Sequence, residues 1–243
     1  MASQFHYSPL SPSSREIRLV TMAPGLTETL NDDTLECALT HTSLPSASPD
    51  GLDLSIEYET VSYVWGDANR RAFIYLDREL VSVPWSSEQV LRSVRRSDRP
   101  RTIWIDAVCI NQSDLVERSQ QVAIMADIYR SGSQNIVYLG NHDRTLDAAL
   151  SSARSLLRTE IADAIAEGRS FLDFMHDPSG QTRLSTARIT VDVDQTALLD
   201  LFSNPWFSCL WVLQEAALAK RSICICGDQE FALLDICMVA KWL

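Results

Sequence analysis

The sequence predicts an α/β fold, with a mainly parallel central sheet flanked by helices. Two observations carry that prediction. Thr102 to Ile110 is a short apolar run, a helical stretch follows from about Asp114 to Tyr129, and a second apolar run spans Ile136 to Gly140. Strand, helix and strand within about forty residues form a βαβ pattern, whose crossover makes the two strands parallel. The composition, 46% hydrophobic and 22% charged over 243 residues, suits a globular protein with a full core. Parallel sheets place ligand chemistry on loops at the carboxyl ends of their strands. Asp106 to Gln112 is therefore the first place to look for function.

The remaining elements follow in chain order. Ile17 to Met22 and Leu35 to Thr40 read as strands, and the Ser, Pro, Asp and Gly mixture between Ser43 and Leu54 reads as a loop. Tyr58 to Trp65 is a strand rich in β-branched and aromatic residues, ended by the turn Gly66-Asp67-Ala68-Asn69. Alternation on both sides of Asp77-Arg78-Glu79 predicts a hairpin over Phe73 to Val83. Ser86 with Gln89 three residues later has capping-box spacing ahead of Val90, Leu91 and Val94. Asp114 with Glu117 gives the next helix start, with Val122, Met125, Ile128 and Tyr129 as its apolar face. Leu146 to Ala166 predicts a long helix, and Gly168 to Asp192 an irregular insertion. Gln195 to Phe202 forms a short helix, and Asn204-Pro205 opens another that runs to about Ala219. Ser222 to Cys226 is a strand, Gly227-Asp228 a turn, and Leu233 to Trp242 a final helix. The expected organisation is one domain over 1–243: an N-terminal β extension (1–57), the first part of the core (58–140), a helical and irregular insertion (141–195) and the rest of the core (196–243). The abrupt stop after the last helix is the pattern of a domain cut from a longer protein.

Composition excludes several classes. A net charge of −11, with 21 Lys and Arg against 32 Asp and Glu, argues against nucleic acid as the main partner. The basic stretch Arg92 to Arg101 is either a solvated helix end or a local anion contact. Met1 to Arg18 is rich in Ser and Pro and lacks the apolar segment of a signal peptide. No run approaches the ~18 apolar residues of a membrane span, so no membrane partner is expected. Six scattered cysteines without Cys-x-x-Cys spacing, and four distant histidines, predict reduced thiols and no metal site. Phosphate loops of the Gly-x-x-x-x-Gly-Lys type, Gly-x-Gly-x-x-Gly turns and Gly-x-Ser-x-Gly elbows are all missing. A P-loop ATPase, a Rossmann dehydrogenase and a serine hydrolase are thereby disfavoured.

Three long blocks point elsewhere. They are Tyr58-Glu59-Thr60-Val61-Ser62-Tyr63-Val64-Trp65-Gly66-Asp67; Ile103 to Gln112, followed by Glu117-Arg118, Gln121, Met125, Ile128-Tyr129 and Leu139-Gly140; and Pro205-Trp206-Phe207 with Trp211-Val212-Leu213-Gln214-Glu215. In order and spacing they resemble the fungal heterokaryon-incompatibility (HET) domain across roughly residues 15–230. One position departs: Cys209 stands where the family usually has Arg.

The resemblance implies a role in self/non-self recognition and regulated cell death. It also implies a distant likeness to Toll-type (TIR) domains, whose enzymatic members cleave NAD. On that likeness the core would be TIR-like, with added N-terminal strands and a helical insertion. Tyr58 to Asp67, Thr102 to Asn111 and Ile136 to Gly140 are similar to the first three TIR strands, and Trp211 to Glu215 to the helix bearing the glutamate needed for NAD cleavage. Glu215 is the nominated catalytic carboxylate, with NAD or a related nucleotide as substrate and no resident cofactor. The implied setting is cytoplasmic, with self-association into a homo-oligomer and an upstream receptor or partner protein. The alternative is a non-enzymatic signalling module that acts through protein partners.

The site residues each carry a second reading. Glu215 lies among Trp211, Val212, Leu213, Ala216, Ala217 and Leu218, where a carboxylate is costly to bury unless paired. It is either functional or the partner of Arg118 or Lys220. Asp106 is the second carboxylate, either contacting substrate or capping the loop before the next helix. Asn111 and Gln112 either hydrogen-bond an amide or ribose or shape the turn. Trp65 either stacks on a nucleotide ring or packs in the core. Gly66 permits close backbone approach beside Asp67. Arg118 is poorly placed for its helix dipole, so its partner is Glu215, Asp106 or a ligand phosphate. Trp104 and Trp206 are assigned to packing.

Overall fold

The computed structural model describes residues 5–25, 35–45, 57–67, 69–141, 144–166 and 193–242. The expected irregular insertion at Gly168 to Asp192 lies outside the described residues. Nine strands are found among them: β1 (Glu16–Met22), β2 (Glu36–Ser43), β3 (Glu59–Ser62), β4 (Arg71–Leu76), β5 (Glu79–Pro84), β6 (Arg101–Trp104), β7 (Asn135–Tyr138), β8 (Ser222–Cys226) and β9 (Gln229–Ala232). The helices are α1 (Trp85–Val94), α2 (Asp106–Cys109), α3 (Leu115–Ser131), α4 (Arg144–Ala166), α5 (Gln195–Phe202), α6 (Pro205–Ser208), α7 (Trp211–Leu218) and α8 (Leu233–Trp242).

All nine strands join one sheet in the order β5-β4-β2-β1-β6-β3-β7-β8-β9. The fold is α/β, and the sheet is mixed rather than mainly parallel. Parallel pairing runs through β6-β3-β7-β8 and recurs between β2 and β4, whereas β1 is antiparallel to both β2 and β6, and β4 is antiparallel to β5. A short connection explains one antiparallel pair. The β4–β5 link is only Asp77-Arg78, with φ of 50° and 70°, and a two-residue turn of that hand imposes an antiparallel hairpin. The longer helical crossover between β6 and β7 allows parallel strands, with β3 seated between them. All four residues of β3 are buried, as a strand covered on both faces requires.

In chain order the four parallel strands β3, β6, β7 and β8 lie as 2-1-3-4, so the chain leaves β3 first to one side and later to the other. Open sheets of this order have a crevice at the carboxyl end of the switching strand, here the end of β3 at Ser62.

The chain divides into two compact units, 1–140 with 209–230, and 141–208 with 231–243. The first holds a continuous core that includes Leu19, Val61, Trp104, Ile105, Ile128 and Ile136. In the second, α4 packs on α5 and α8. Trp104 and Trp206 are both buried, in keeping with packing roles.

Local chemistry corrects several expectations. Thr102 to Ile110 is not one strand: β6 ends at Trp104, and Asp106 starts the one-turn helix α2. The single helix expected from Pro205 to about Ala219 is broken at Cys209-Leu210 into α6 and α7. Gly227-Asp228 is a turn as expected, and strand β9 follows it over residues that the sequence left unassigned. Ser86 does not cap α1. Its hydroxyl donates to the Trp65 carbonyl at 2.5 Å, Pro84 takes the N-cap position, and Gln89 turns to Glu88. Asp114 does cap α3, accepting from the backbone of Val116 and Glu117. The buried stripe of α3 is nevertheless Glu117, Gln121, Met125, Ile128 and Tyr129, and Val122 is 42% exposed. Polar residues hold the first half of that stripe because each has a partner on β1. Gln121 donates to the Glu16 carbonyl at 2.9 Å, and Glu117 grips Arg18.

The Arg18 guanidinium donates to both oxygens of Glu117, at 2.6 and 2.9 Å, and to the Cys109 carbonyl at 3.1 Å. Glu117 also accepts the Asn111 backbone N–H at 2.8 Å. Losing one member of such a pair leaves a buried charge unmatched, which typically costs about 3–5 kcal/mol. Arg18→Met or Glu117→Gln alone is therefore expected to lower the urea-unfolding free energy by about that amount. The double change Arg18→Met with Glu117→Leu is expected to recover most of it. A single-variant loss below about 1 kcal/mol would mean that the pair behaves as a solvated surface bridge.

Candidate functional site

Four segments of the first unit converge at the carboxyl edge of the parallel strands. They are the end of β3 with the residues after it (Ser62 to Trp65), the start of α2 (Asp106), the last part of α3 (Tyr129) and α7 (Glu215). Alternation along β3 places Tyr58, Thr60 and Ser62 on the face toward α3, and Glu59 on the other, where it pairs with Arg101. Ser62 is the last strand residue on the α3 face. Its hydroxyl donates to Glu215 Oε2.

Glu215 is 8% exposed. Burial pushes its carboxyl up to about 7, and the neighbouring negative charge of Asp106 adds to the rise, while hydrogen bonds with Ser62 and Tyr129 oppose it. The Tyr129 hydroxyl, which donates to the Val61 carbonyl at 2.9 Å, also lies against Glu215 and favours its ionised form. Burial and the charge of Glu215 push the Tyr129 phenol well above its ordinary value. Among the described residues Glu215 forms no ion pair, and the expected partners Arg118 and Lys220 are both exposed.

Asp106 is held by more donors. Ala107 N–H donates to Oδ1 at 2.7 Å, the Trp65 indole N–H to Oδ2 at 2.9 Å, and the Tyr63 hydroxyl also hydrogen-bonds it. Tyr63 is in turn 2.8 Å from the buried Ser87 hydroxyl. Asp106 keeps partial solvent contact, yet the protein packed around it pushes its carboxyl up to about 6. The result is two carboxylates, electrostatically linked, each buttressed by a tyrosine and by neutral donors, with no cation to offset their charge among the described residues.

The other sequence-nominated residues divide clearly. Trp65 is part of the site and 39% exposed. Gly66 adopts φ +67°, which favours glycine, and open space lies where a side chain would point. Asp67 caps its own loop, accepting from Asn69 N–H at 2.9 Å. Asn111 shapes the turn before α3 by accepting from Ser113, and Gln112 donates to the Asp106 carbonyl at 2.9 Å. Arg118 points into neither carboxylate. Trp211 begins α7, one turn before Glu215, and is 60% exposed. The residues missed from sequence are Ser62, Tyr63, Ser87 and Tyr129. Ser62 and Tyr63 had a legible signal, hydroxyls closing an otherwise buried strand, whereas nothing in sequence separates Ser87 or Tyr129 from packing residues. Among the described residues, no group of three or more His, Cys, Asp or Glu is placed to hold a metal ion.

A family model described as heterokaryon incompatibility protein (HET) matches residues 58–215, a span that begins at the approach to β3, ends on Glu215 and contains every site residue named above. The protein named heterokaryon incompatibility protein 6, OR allele, of Neurospora crassa is 30% identical over 242 residues, covering 90% of this chain. The chain spans about a third of that relative's length, the match covering 34% of it. No solved structure matches.

Glu215 also sets a pH dependence. An unfolded chain ionises this group near its ordinary 4.5, whereas the folded protein holds the proton to about 7. Its contribution to stability is thus complete below about pH 4.5 and is lost as pH rises through 7. Glu215→Gln removes that titration. The melting temperature of the variant minus that of the wild type is expected to grow between pH 5 and pH 8, corresponding to about 2–3 kcal/mol. A difference that stays flat across this range would mean that Glu215 titrates as an ordinary carboxylate.

Proposed function

Because this chain belongs to the heterokaryon incompatibility (HET) family, we propose that it is a cell-death effector domain in fungal self/non-self recognition that hydrolyses NAD or a related nucleotide. The observation that carries this reading is Glu215: a buried carboxylate at the carboxyl end of the switching strand, held by hydroxyls instead of a cation, beside a second carboxylate.

The chemistry suits the geometry. In NAD hydrolysis the bond between nicotinamide nitrogen and ribose C1′ breaks, and its electron pair leaves with the ring, giving neutral nicotinamide. Positive charge develops on the ribose as an oxocarbenium-like state, which a carboxylate at that face stabilises while it holds ribose hydroxyls. Water then adds to C1′ and releases a proton, completing ADP-ribose. Glu215, anchored by Ser62, is the group proposed to meet that charge. Asp106, locked in place by Trp65, Tyr63 and Ala107, is proposed to fix the walls of the site, and Glu215 to receive the released proton. Self-association and an upstream partner belong to the same proposal.

A second reading has its own support. Leu210, Trp211 and Leu213 are 79%, 60% and 65% exposed at the start of α7, an apolar surface suited to protein contacts. On this reading the domain acts by assembly alone.

One comparison separates the two. Purified protein at high concentration, or forced to cluster, is expected to consume NAD, and Glu215→Gln to lower turnover by about a hundredfold or more with its fold intact. The same variant is expected to lose toxicity in cells. Wild-type protein that kills cells while leaving NAD untouched, or a Glu215→Gln protein that kills as well as the wild type, would overturn hydrolysis in favour of assembly.

A further inference from the structure

The Trp65 side chain is held in an unusual way for a half-exposed aromatic. Its indole N–H donates to Asp106 Oδ2 at 2.9 Å, and its backbone carbonyl accepts from the Ser86 hydroxyl at 2.5 Å. The ring is thereby held at its N–H and the residue at its backbone, yet 39% of the residue remains in contact with solvent. Next to it Gly66 takes a left-handed conformation with open space beyond its Cα. Trp211, the other exposed tryptophan near Glu215, is given no such anchor by its described hydrogen bonds.

A fixed indole face whose N–H is bound by a carboxylate is electron-rich, and such faces attract cations. The charge around it points the same way. Asp106 and Glu215 lie close enough for Asp106 to raise the proton affinity of Glu215, and no ion pair among the described residues neutralises either. A positively charged ligand ring would supply the missing countercharge and stack on the indole at once. A neutral ring would gain only the stacking.

We propose that Trp65, locked by Asp106, is a platform for a planar cationic heteroaromatic ring, so that the site takes N-alkylpyridinium compounds in preference to neutral bases. This rests on the reading of the site as one that binds an N-ribosyl pyridinium nucleotide, and it assigns to Trp65 the pyridinium half of that ligand. The oxidised nucleotide would be selected over its uncharged dihydropyridine form before any chemistry begins, and adenine would bind elsewhere.

The test uses the whole chain with its six tryptophans labelled at the indole nitrogen, titrated in separate NMR experiments with 1-methylnicotinamide, nicotinamide and adenosine. None of these carries a cleavable ribosyl pyridinium bond. The signal that Trp65→Phe removes is expected to move with 1-methylnicotinamide at about tenfold lower concentration than with nicotinamide, the ratio a cation–π contact supports. Asp106→Asn, which keeps the shape but removes the charge, is expected to weaken that binding with the remaining indole signals in place. Nicotinamide or adenosine moving the Trp65 signal as readily as the cation would overturn the platform. So would a cation that moves the Trp211 signal and leaves Trp65 still. The two readings fail separately. Cation binding at Trp65 without NAD turnover would sink hydrolysis and leave the platform standing, whereas NAD turnover undiminished in kcat and KM by Trp65→Leu would sink the platform and leave hydrolysis.

Discussion

The buried bridge between Arg18 and Glu117 is the constraint on which the site depends. One guanidinium joins β1 to the first turn of α3, to the last carbonyl of α2 and to the N-terminal segment, whose Ser8 carbonyl accepts from it at 2.6 Å. Glu117 returns the grip by accepting from Asn111, which fixes the turn between α2 and α3. Tyr7 adds a second clamp, with its ring 4.8 Å below the guanidinium and its hydroxyl on the Val108 carbonyl at 2.9 Å. Asp106 opens α2, so one carboxylate of the pair hangs from this junction, and α3 carries Tyr129 from it to the other. A buried ion pair adds little net stability over a well-packed apolar pair. What it supplies here is registry: an apolar substitute would fill the space without dictating where α2 and α3 begin.

The site inverts that logic. On the far face of β3, Glu59 is buried with Arg101 as a close partner, and its carboxyl is held below the ordinary range. On the near face, Glu215 is buried against a serine and a tyrosine, and its carboxyl rises to about 7. The same strand therefore carries one carboxylate environment built for stability and one that is costly to ionise. Hydroxyls satisfy the hydrogen bonds of a buried acid without supplying charge, so they leave its protonation open to whatever enters the cleft. Burial without a countercharge costs folding free energy at neutral pH, and a site that binds a cation recovers that cost on binding.

Much of this was legible in the residues, though unevenly. The strand–helix–strand pattern located the carboxyl edge, because alternation and helical spacing are local properties, and Asp106 and Glu215 both proved to lie there. The antiparallel half of the sheet was hidden, since strand partners are chosen by long-range packing and not by the strands' own composition. The face of α3 was misread at Val122 for an identifiable reason. Periodicity counts apolar residues, but Glu117 and Gln121 occupy the inner stripe through partners that are distant in sequence, at Arg18 and Glu16. Ser86 failed in the same way: its spacing matched a cap, but the free Trp65 carbonyl nearby took its hydroxyl. Local rules broke mainly where tertiary hydrogen bonds brace the site.

That pattern also separates the two carboxylates. Asp106 has donors on both oxygens, and Gln112 holds its backbone carbonyl, so its orientation is over-determined and the loop geometry follows from it. Glu215 has fewer donors, Ser62 on Oε2 with Tyr129 beside it, and sits on a short helix that starts just after the break at Cys209-Leu210. A group that must follow charge developing on a ligand needs an anchor and an uncommitted oxygen, whereas one that must hold a ring in place needs every lone pair engaged. By that criterion the proposed roles divide, with Asp106 as the fixed wall and Glu215 as the responsive group. Within the first unit α7 packs on β3 and α3, the two elements whose hydroxyls, Ser62 and Tyr129, meet Glu215.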